Sequence, residues 1–387
     1  MTRRTIGIAM NGVTGRMGYR QHLMRSILAL REQGGLELGD GTVLWPEPIL
    51  VGRHAAKLEQ IAVRHGLERW TTSLDEALAE PDVEVYFDAQ VTSARVDAVR
   101  RAIDAGKHVY TEKPTAESLA DALDLARAAE AAGVCAGVVQ DKLFLPGLRK
   151  LRRLVESGFF GRILSVRGEF GYWVFEGDQQ AAQRPSWNYR AEDGGGIVLD
   201  MFPHWRYVLD RLIAPVQSVY AHSATHIPVR YDESALRYDA TADDAAYAIL
   251  ELEGGVVAQI NSSWAVRVNR EELVELQVDG TEGSAVAGLR ACRAQHRTST
   301  PKPVWDPDVP ATEQFRSQWA EVPDNVEWGN AFRVEWELFL EHITLTPDAP
   351  FPYDLYEGAK GVQLAELALV SAREGRRVAV PELGTPS

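Results

Sequence analysis

Two short segments of the chain combine residues that could move a proton or stabilise a developing negative charge. In the segment GKHVYTEKP at 106–114, Glu112 and Lys113 follow an apolar run and precede a proline. In a second segment, Asp200 and His204 stand four residues apart, so on a helix they share one face. A carboxylate can orient an imidazole, which then exchanges protons near neutral pH. Such a pair is also common as a structural hydrogen bond, so the spacing alone leaves both roles open.

A glycine-rich loop, NGVTGRMG at 11–18, directly follows the first apolar run. Between a strand and a helix, such a loop lets the backbone approach a pyrophosphate, and the helix N-terminus offers free N–H groups. The next apolar run ends in LVGR at 50–53, where NAD-binding chains usually carry an acidic residue. The guanidinium of Arg53 suits a 2′-phosphate, so we predict NADP(H) in preference to NAD(H). The residues predicted to bind the cofactor are Gly12, Thr14, Gly15, Arg16, Met17, Gly18, Arg53, Glu112 and Lys113.

Alternating elements must position these motifs in the first third of the chain. Strands are predicted over 6–10, 49–51, 83–87, 107–110 and 134–139, with amphipathic helices between them. This alternation predicts an α/β domain with a parallel sheet, a Rossmann dinucleotide-binding domain over residues 1–140. The Gly-rich, polar stretch 32–47 is predicted to be a surface insertion.

The pattern changes in the rest of the chain. Strand-like segments follow one another with few helices, and turn signals such as Glu253-Gly254-Gly255 and Asp279-Gly280 join them. We therefore predict an α+β substrate and oligomerisation domain over residues 141–387, built on a mostly antiparallel sheet.

Charge and composition restrict the classes of partner. Among 387 residues, 41 Lys and Arg face 55 Asp and Glu, so the net charge is −14, which disfavours nucleic acid. No apolar run approaches the roughly 20 residues of a membrane helix. Two cysteines, Cys135 and Cys292, form neither a disulfide framework nor a metal cluster. We predict a cytoplasmic protein that binds a small molecule and needs no metal, membrane or nucleic acid.

In this order, the motifs resemble the glucose–fructose oxidoreductase / inositol dehydrogenase / MocA (Gfo/Idh/MocA) family. The segment AGKHVYTEKP at 105–114 resembles its signature, and GGGIVLDMFPHW at 194–205 resembles its second signature. RPSWNYRAEDGGG at 184–196 is similar to the approach to that second signature. DLYEGAKGVQLAELALVSAREGRRV at 354–378 is similar to the family's C-terminal helix.

The resemblance implies an oxidoreductase that transfers a hydride between a nicotinamide cofactor and a CH–OH group of a sugar, cyclitol or related polyol. It implies Lys113, Asp200 and His204 as the catalytic set and a cis Lys113–Pro114 bond. It further implies a large open sheet that forms a homodimer or homotetramer, and a C-terminal helix over about 356–375 that packs on the first domain. We expect the substrate to contact Trp187, Asn188, Tyr189, Arg190 and His204.

Three segments depart from the family pattern. The loop NGVTGRMG is more similar to that of dihydrodipicolinate reductases, and Asp88-Ala89-Gln90 stands where a Pro-Asn turn is usual. Gln140-Asp141-Lys142 replaces the usual Asn-x-Arg. The alternatives left open are an NADPH-dependent reductase of an imine or unsaturated acid, a redox-neutral enzyme that retains its cofactor, and a non-catalytic NADP sensor.

Overall fold

The computed structural model describes residues 2–267, 272–300, 306–310, 318–325, 329–347 and 349–384. Within them the chain divides into two compact units. Unit 1 consists of Met1–Phe144, Gly329–Gln363 and Glu382–Ser387, and unit 2 of Leu145–Trp328 and Leu364–Pro381. Unit 1 therefore takes in a second stretch of chain that follows the main body of unit 2.

Unit 1 contains the predicted α/β architecture. Its strands are β1 Thr2–Asn11, β2 Leu36–Glu37, β3 Thr42–Val51, β4 Trp70–Thr71, β5 Val83–Asp88, β6 His108–Thr111 and β7 Ala136–Val138. The sheet order is β2-β3-β1-β5-β6-β7, with β4 beside β3, and the pairs are parallel except β2–β3. Parallel strands are covered on both faces, which explains why residues 6–10 of β1 are all buried.

The described helices include those that the amphipathic runs predict between the strands of unit 1. They are α1 (Gly18–Leu28, with π-type hydrogen bonding, continued by Ala29–Glu32), α2 Ala55–His65, α3 Leu74–Ala79, α4 Thr92–Asp104, α5 Leu119–Ala131, α6 Pro146–Glu156, α7 Ile197–Leu212, α8 Ala331–Leu345 and α9 Leu355–Glu374. The division between the units falls inside α9. Among the described residues, no helix combines the length and the apolar character that crossing a bilayer requires.

The prediction of a surface insertion over 32–47 is wrong for its second half. β3 begins at Thr42 and pairs with the whole of β1. Leu50 donates its N–H to the Arg69 carbonyl, on the side of β4. Backbone N–H groups alternate sides along a strand, so the nitrogens of Pro46 and Pro48 face that same side. β2 and β4 pair with other residues of β3, so the two prolines occupy a stretch where no described strand needs a donor.

Unit 2 contains the predicted second sheet. Its strands are β8 Ile163–Phe170, β9 Val216–Ala224, β12 Ala245–Leu252, β13 Val256–Ser263, β14 Val274–Gly280, β15 Gly283–Ala287, β16 Cys292–His296, β17 Ala320–Glu321 and β18 Val378–Ala379. The order is β17-β16-β15-β14-β8-β13-β12-β9-β18, and the described pairs are antiparallel except β8–β13. A separate hairpin pairs β10 Val229–Tyr231 with β11 Arg237–Asp239.

Helix α7 packs on β9, β12 and β13 of this sheet. Trp205 anchors it, because its indole N–H donates to Ser262 Oγ at 2.9 Å. Gly168 makes room for this contact, since a Cβ there would lie 2.9 Å from the Trp205 ring. The sheet thus fixes the helix that carries Asp200 and His204.

Candidate active site

The glycine loop joins β1 to α1 by close backbone packing. Gly12 has φ +88°, and a Cβ there would lie 2.5 Å from the Ala89 carbonyl. A Cβ on Gly18 would lie 2.5 Å from Gly12 O, so both positions require glycine. Thr14, Gly15 and Arg16 are exposed between them. The loop leaves the N-terminus of α1 open at the carboxyl end of β1, and these residues fit a dinucleotide pyrophosphate.

The carboxyl end of β3 carries exposed basic side chains. Arg53 follows Gly52, and His54 and Lys57 belong to the start of α2. The segment GRHAAKL at 52–58 contains no carboxylate. This donor set fits an anionic group on the cofactor ribose.

The Glu112–Pro114 turn follows β6 at the same edge of the sheet. Glu112 donates its backbone N–H to Asp88 O at 2.8 Å. Lys113 donates its backbone N–H to Glu112 Oε2 at 3.2 Å. The Lys113–Pro114 bond is cis, which confirms the expectation. The turn is therefore tied to the sheet through backbone atoms and presents the half-buried Lys113.

A buried network after β5 supports the other side of this turn. Arg95 donates its Nε–H to Asp88 Oδ1 at 2.9 Å and also bonds the Pro114 carbonyl. Tyr86 donates its hydroxyl to Asp88 Oδ2 at 2.6 Å. Burial, and then the negative charge of Asp88, hold the pKa of Tyr86 well above its usual range. Asp88 belongs to the segment that departs from the family pattern, and the structure gives it a role in holding the turn.

Glu112 is a buried carboxylate whose own contacts keep it ionised. Its Oε1 lies 2.9 Å from His22 Nε2. Burial by itself raises the pKa of Glu112. The His22 hydrogen bond and the charges of Lys113 and Arg95 lower it by more, so the pKa of Glu112 is below the ordinary value. The described hydrogen bonds of the Glu112 side chain are therefore to residues of unit 1. Its predicted contact with the cofactor stays a prediction.

A second buried carboxyl lies near the carboxyl end of β7. Glu335 of α8 accepts the Gln140 backbone N–H at 2.6 Å. Burial, followed by the charge of Asp141, raises the pKa of Glu335 well above its usual range. This carboxyl holds the segment in which Gln140 replaces the asparagine of the family pattern.

In unit 2, the glycine triplet allows a loop to approach the start of α7. A Cβ on Gly195 would lie 2.4 Å from Asn188 O, and one on Gly196 would lie 2.7 Å from Asp243 Oδ1. Asp243 caps the helix, because its Oδ2 accepts the Val198 N–H at 2.9 Å. Burial raises the pKa of Asp243 although this bond opposes the shift. The helix then continues through Pro203 to Leu212.

Asp200 and His204 each have a side-chain partner that the sequence did not reveal. Asp200 Oδ2 lies 2.8 Å from an Arg184 terminal nitrogen. The Arg184 guanidinium carbon lies 4.7 Å from the centre of the Trp264 ring. The buried His204 has its Nδ1 at 2.6 Å from the Tyr207 hydroxyl, one helical turn away. The i, i+3 spacing of His204 and Tyr207 was the available signal for this contact.

The predicted substrate segment is only partly accessible. Trp187 and Arg190 are half-buried, and Asn188 is buried and donates to Pro185 O at 3.0 Å. The sequence predicts a substrate contact for Tyr189, but the structure places this side chain in the core, where its hydroxyl donates to Phe175 O at 2.7 Å. Trp187 and Arg190 therefore remain the more accessible candidates.

Comparisons with known proteins cover the candidate site residues of both unit 1 and unit 2. A family model described as an oxidoreductase family with an NAD-binding Rossmann fold matches residues 6–140, and the GFO/IDH/MocA C-terminal domain matches 148–286. The chain belongs to the GFO/IDH/MocA family. It is therefore an oxidoreductase that transfers a hydride to or from a nicotinamide cofactor, and NAD(H) binding follows from its Rossmann fold.

Family relatives and solved structures give the degree of similarity. The chain is 60% identical over 382 residues to a D-xylose dehydrogenase of Paenarthrobacter nicotinovorans. The match covers 98% of each protein. It is 26% identical to an NAD(+)-dependent scyllo-inositol 2-dehydrogenase of Bacillus subtilis (strain 168), over 62% of this chain and 65% of that one. A levoglucosan dehydrogenase in complex with NADH and levoglucosan shares its fold, with TM-score 0.80, 19% identity, and coverage of 98% of this chain and 100% of that one.

Proposed function

We propose that this chain is a sugar dehydrogenase that oxidises a neutral aldose, with D-xylose as the first substrate to test. The observation that carries the proposal is the 60% identity, over 98% of both chains, to a D-xylose dehydrogenase. Such coverage includes the Lys113 turn and helix α7. A neutral substrate also agrees with an acidic chain whose Asp200 carboxylate already pairs with Arg184.

Lys113, Asp200 and His204 are the proposed catalytic residues. The glycine loop would hold a nicotinamide cofactor, which when bound would supply the acceptor for the hydride of the substrate carbon. The Lys113 ammonium donates a hydrogen bond to the reacting oxygen and stabilises its developing negative charge. His204 takes the hydroxyl proton, and the Tyr207 hydroxyl 2.6 Å from Nδ1 orients its ring. Asp200, held by Arg184, orients the substrate hydroxyls as an acceptor.

The test is a nicotinamide absorbance assay of the purified protein against D-xylose, other aldoses, inositols and levoglucosan, with NAD and NADP in parallel. Turnover of D-xylose above the other sugars supports the proposal. Turnover of inositols alone would move the substrate class to cyclitols. No turnover of any polyol, with the cofactor still binding, would overturn the assignment as a sugar dehydrogenase.

The cofactor preference is a separate proposal. Arg53, with His54 and Lys57 beside it, supports NADP(H) over NAD(H) through contacts to the 2′-phosphate. The Arg53→Asp substitution should lower kcat/KM with NADP by about tenfold or more relative to NAD, since it replaces a charge-assisted bond by repulsion. Arg127→Asp, an exposed arginine on α5, is the matched control. An unchanged NADP/NAD ratio in Arg53→Asp would contradict this proposal.

An oligomer is proposed from the outward face of the unit 2 sheet. Tyr220, Tyr247, Ile249 and Val257 are each at least 40% exposed there, and β9, β12 and β13 place them side by side. An apolar patch of this kind is typical of an interface. We expect a dimer or tetramer by light scattering, and Ile249→Lys should dissociate it. A monomeric wild-type protein at micromolar concentration would exclude it.

A further inference from the structure

A chain of buried hydrogen bonds connects α8 to the backbone of Lys113. The Trp336 indole nitrogen lies 3.1 Å from His22 Nδ1. His22 Nε2 lies 2.9 Å from Glu112 Oε1, and Glu112 Oε2 accepts the Lys113 backbone N–H at 3.2 Å. Trp336 and His22 are fully buried, so water does not substitute for either partner. Trp336 lies outside both segments matched by the family models.

The direction of these bonds follows from the donor chemistry of the groups. An indole N–H only donates, so His22 Nδ1 must accept and carries no proton. The ring proton of the neutral imidazole is then on Nε2, where it donates to Glu112 Oε1. Glu112 accepts at both oxygens, from His22 and from the Lys113 backbone. The Trp336 indole on α8 thus fixes which ring nitrogen of His22 carries the proton. That proton satisfies the Glu112 carboxylate, which holds the Lys113 turn.

Neighbouring rings hold both partners of the first bond. His22 lies against Phe87, with ring centres 4.3 Å apart, and meets Phe332 edge-on at 5.1 Å. Trp336 packs edge-on against Tyr110 at 4.8 Å. The two rings therefore have little freedom to exchange partners.

We propose that Trp336 and His22 are positioning residues for the reaction, and that together with Glu112 they set the conformation of the Lys113 backbone. This inference rests on the proposed function, because it assigns the role through Lys113. Without the indole N–H, Nδ1 of the buried His22 loses its donor, and the ring shifts in its pocket to relieve the unsatisfied acceptor. Its Nε2 then moves away from Glu112 Oε1, and the turn loses its tie to α1.

The first test is Trp336→Phe, which keeps a buried ring and removes the donor. We expect kcat with D-xylose to fall roughly tenfold, as for other residues that orient a functional group, while KM for sugar and cofactor stays within about twofold. Amide exchange at Lys113, measured by mass spectrometry on the intact protein, should speed up by at least about tenfold. The matched control is Tyr110→Phe, in the same aromatic cluster, which removes a hydroxyl that interacts with Glu335 and not with His22, and it should change neither quantity.

A folded Trp336→Phe protein with wild-type kcat and wild-type exchange at Lys113 would overturn the proposal. So would equal effects of Trp336→Phe and Tyr110→Phe, which would indicate general loosening of the core. A second measurement decides the matter if the Trp336→Phe protein does not fold. The ring nitrogen-15 spectrum of His22 in the wild-type protein should show the proton on Nε2, and a proton on Nδ1 would refute the proposed bond order.

Failure of the proposed function gives a different pattern of results. If the wild-type protein oxidises no sugar, the assignment as a sugar dehydrogenase fails. The exchange and nitrogen-15 measurements still decide whether Trp336 and His22 control the Lys113 turn.

Discussion

The two groups of proposed catalytic residues are held in opposite ways. In unit 1, Lys113 lies in a turn whose backbone atoms bond to Asp88 and to the Glu112 side chain. In unit 2, Asp200 and His204 lie on a regular helix, and their side chains meet other side chains, Arg184 and Tyr207. A turn needs buried partners to fix its backbone, whereas a helix fixes its backbone by itself and leaves only rotamers to be chosen.

This difference predicts how far away a damaging substitution can lie. Around Lys113, support extends over Asp88, Arg95, Glu112 and His22, so substitutions that never touch substrate should still reach the lysine. His204 meets Tyr207 within its own helix, one turn away. Unit 1 should therefore respond through backbone order and unit 2 through single side-chain contacts.

The largest expected effect is that of Lys113→Ala. Removal of the ammonium should lower kcat by about 100-fold to 1,000-fold, the usual range for one donor that stabilises a developing oxyanion. Cofactor affinity, measured by fluorescence titration, should change much less because the glycine loop remains. Lys107→Ala, at the other end of the same strand, is the control and should keep full turnover. Near wild-type turnover in Lys113→Ala would remove the lysine from the mechanism.

The next effect concerns the contact that orients His204. Tyr207→Phe should lower kcat/KM by about tenfold, because the imidazole loses the partner at Nδ1 that selects its rotamer and tautomer. His204→Asn should cost more, about 100-fold or above, since it removes the proton acceptor itself. Tyr231→Phe removes a hydroxyl elsewhere in unit 2 and serves as control. If Tyr207→Phe matched wild type while His204→Asn was inactive, the Tyr207 contact would not be what orients His204.

The smallest expected effect is on stability and concerns the buried carboxyl of Glu335 in unit 1. The folded-state pKa of Glu335 is raised by burial, so folding takes up a proton above the unfolded-state pKa of about 4.3. Stability from this group is therefore fully present below that pH and falls as pH rises towards the folded-state pKa. Glu335→Gln keeps an acceptor for Gln140 and removes the titration.

The difference in Tm between Glu335→Gln and wild type should therefore grow from acidic to neutral pH, by the equivalent of at most about 1.4 kcal/mol per pH unit. The control is Glu341→Gln, an exposed carboxyl of the same helix. A difference in Tm that stays constant with pH would show that Glu335 is ionised in the folded protein.

The sequence allowed the local elements and the chemical types to be predicted. The alternation of apolar and amphipathic runs identified the strands and helices of unit 1, and the GKHVYTEKP and DMFPHW segments identified Lys113, Asp200 and His204 as candidates. It did not predict that β3 begins at Thr42, because a Gly-rich, polar stretch looks like a loop until its pairing with β1 is known. Nor did it show that Tyr189 is in the core.

The sequence by itself determined which residues can do chemistry, because glycine spacing, helical periodicity and charge are local properties of the chain. Only the tertiary structure decided what holds those residues. His22, Glu112 and Trp336 are distant in sequence, yet they form one hydrogen-bonded chain because α1 and α8 pack together within unit 1. Contacts of this kind depend on which faces are buried against each other, and no local pattern carries that information.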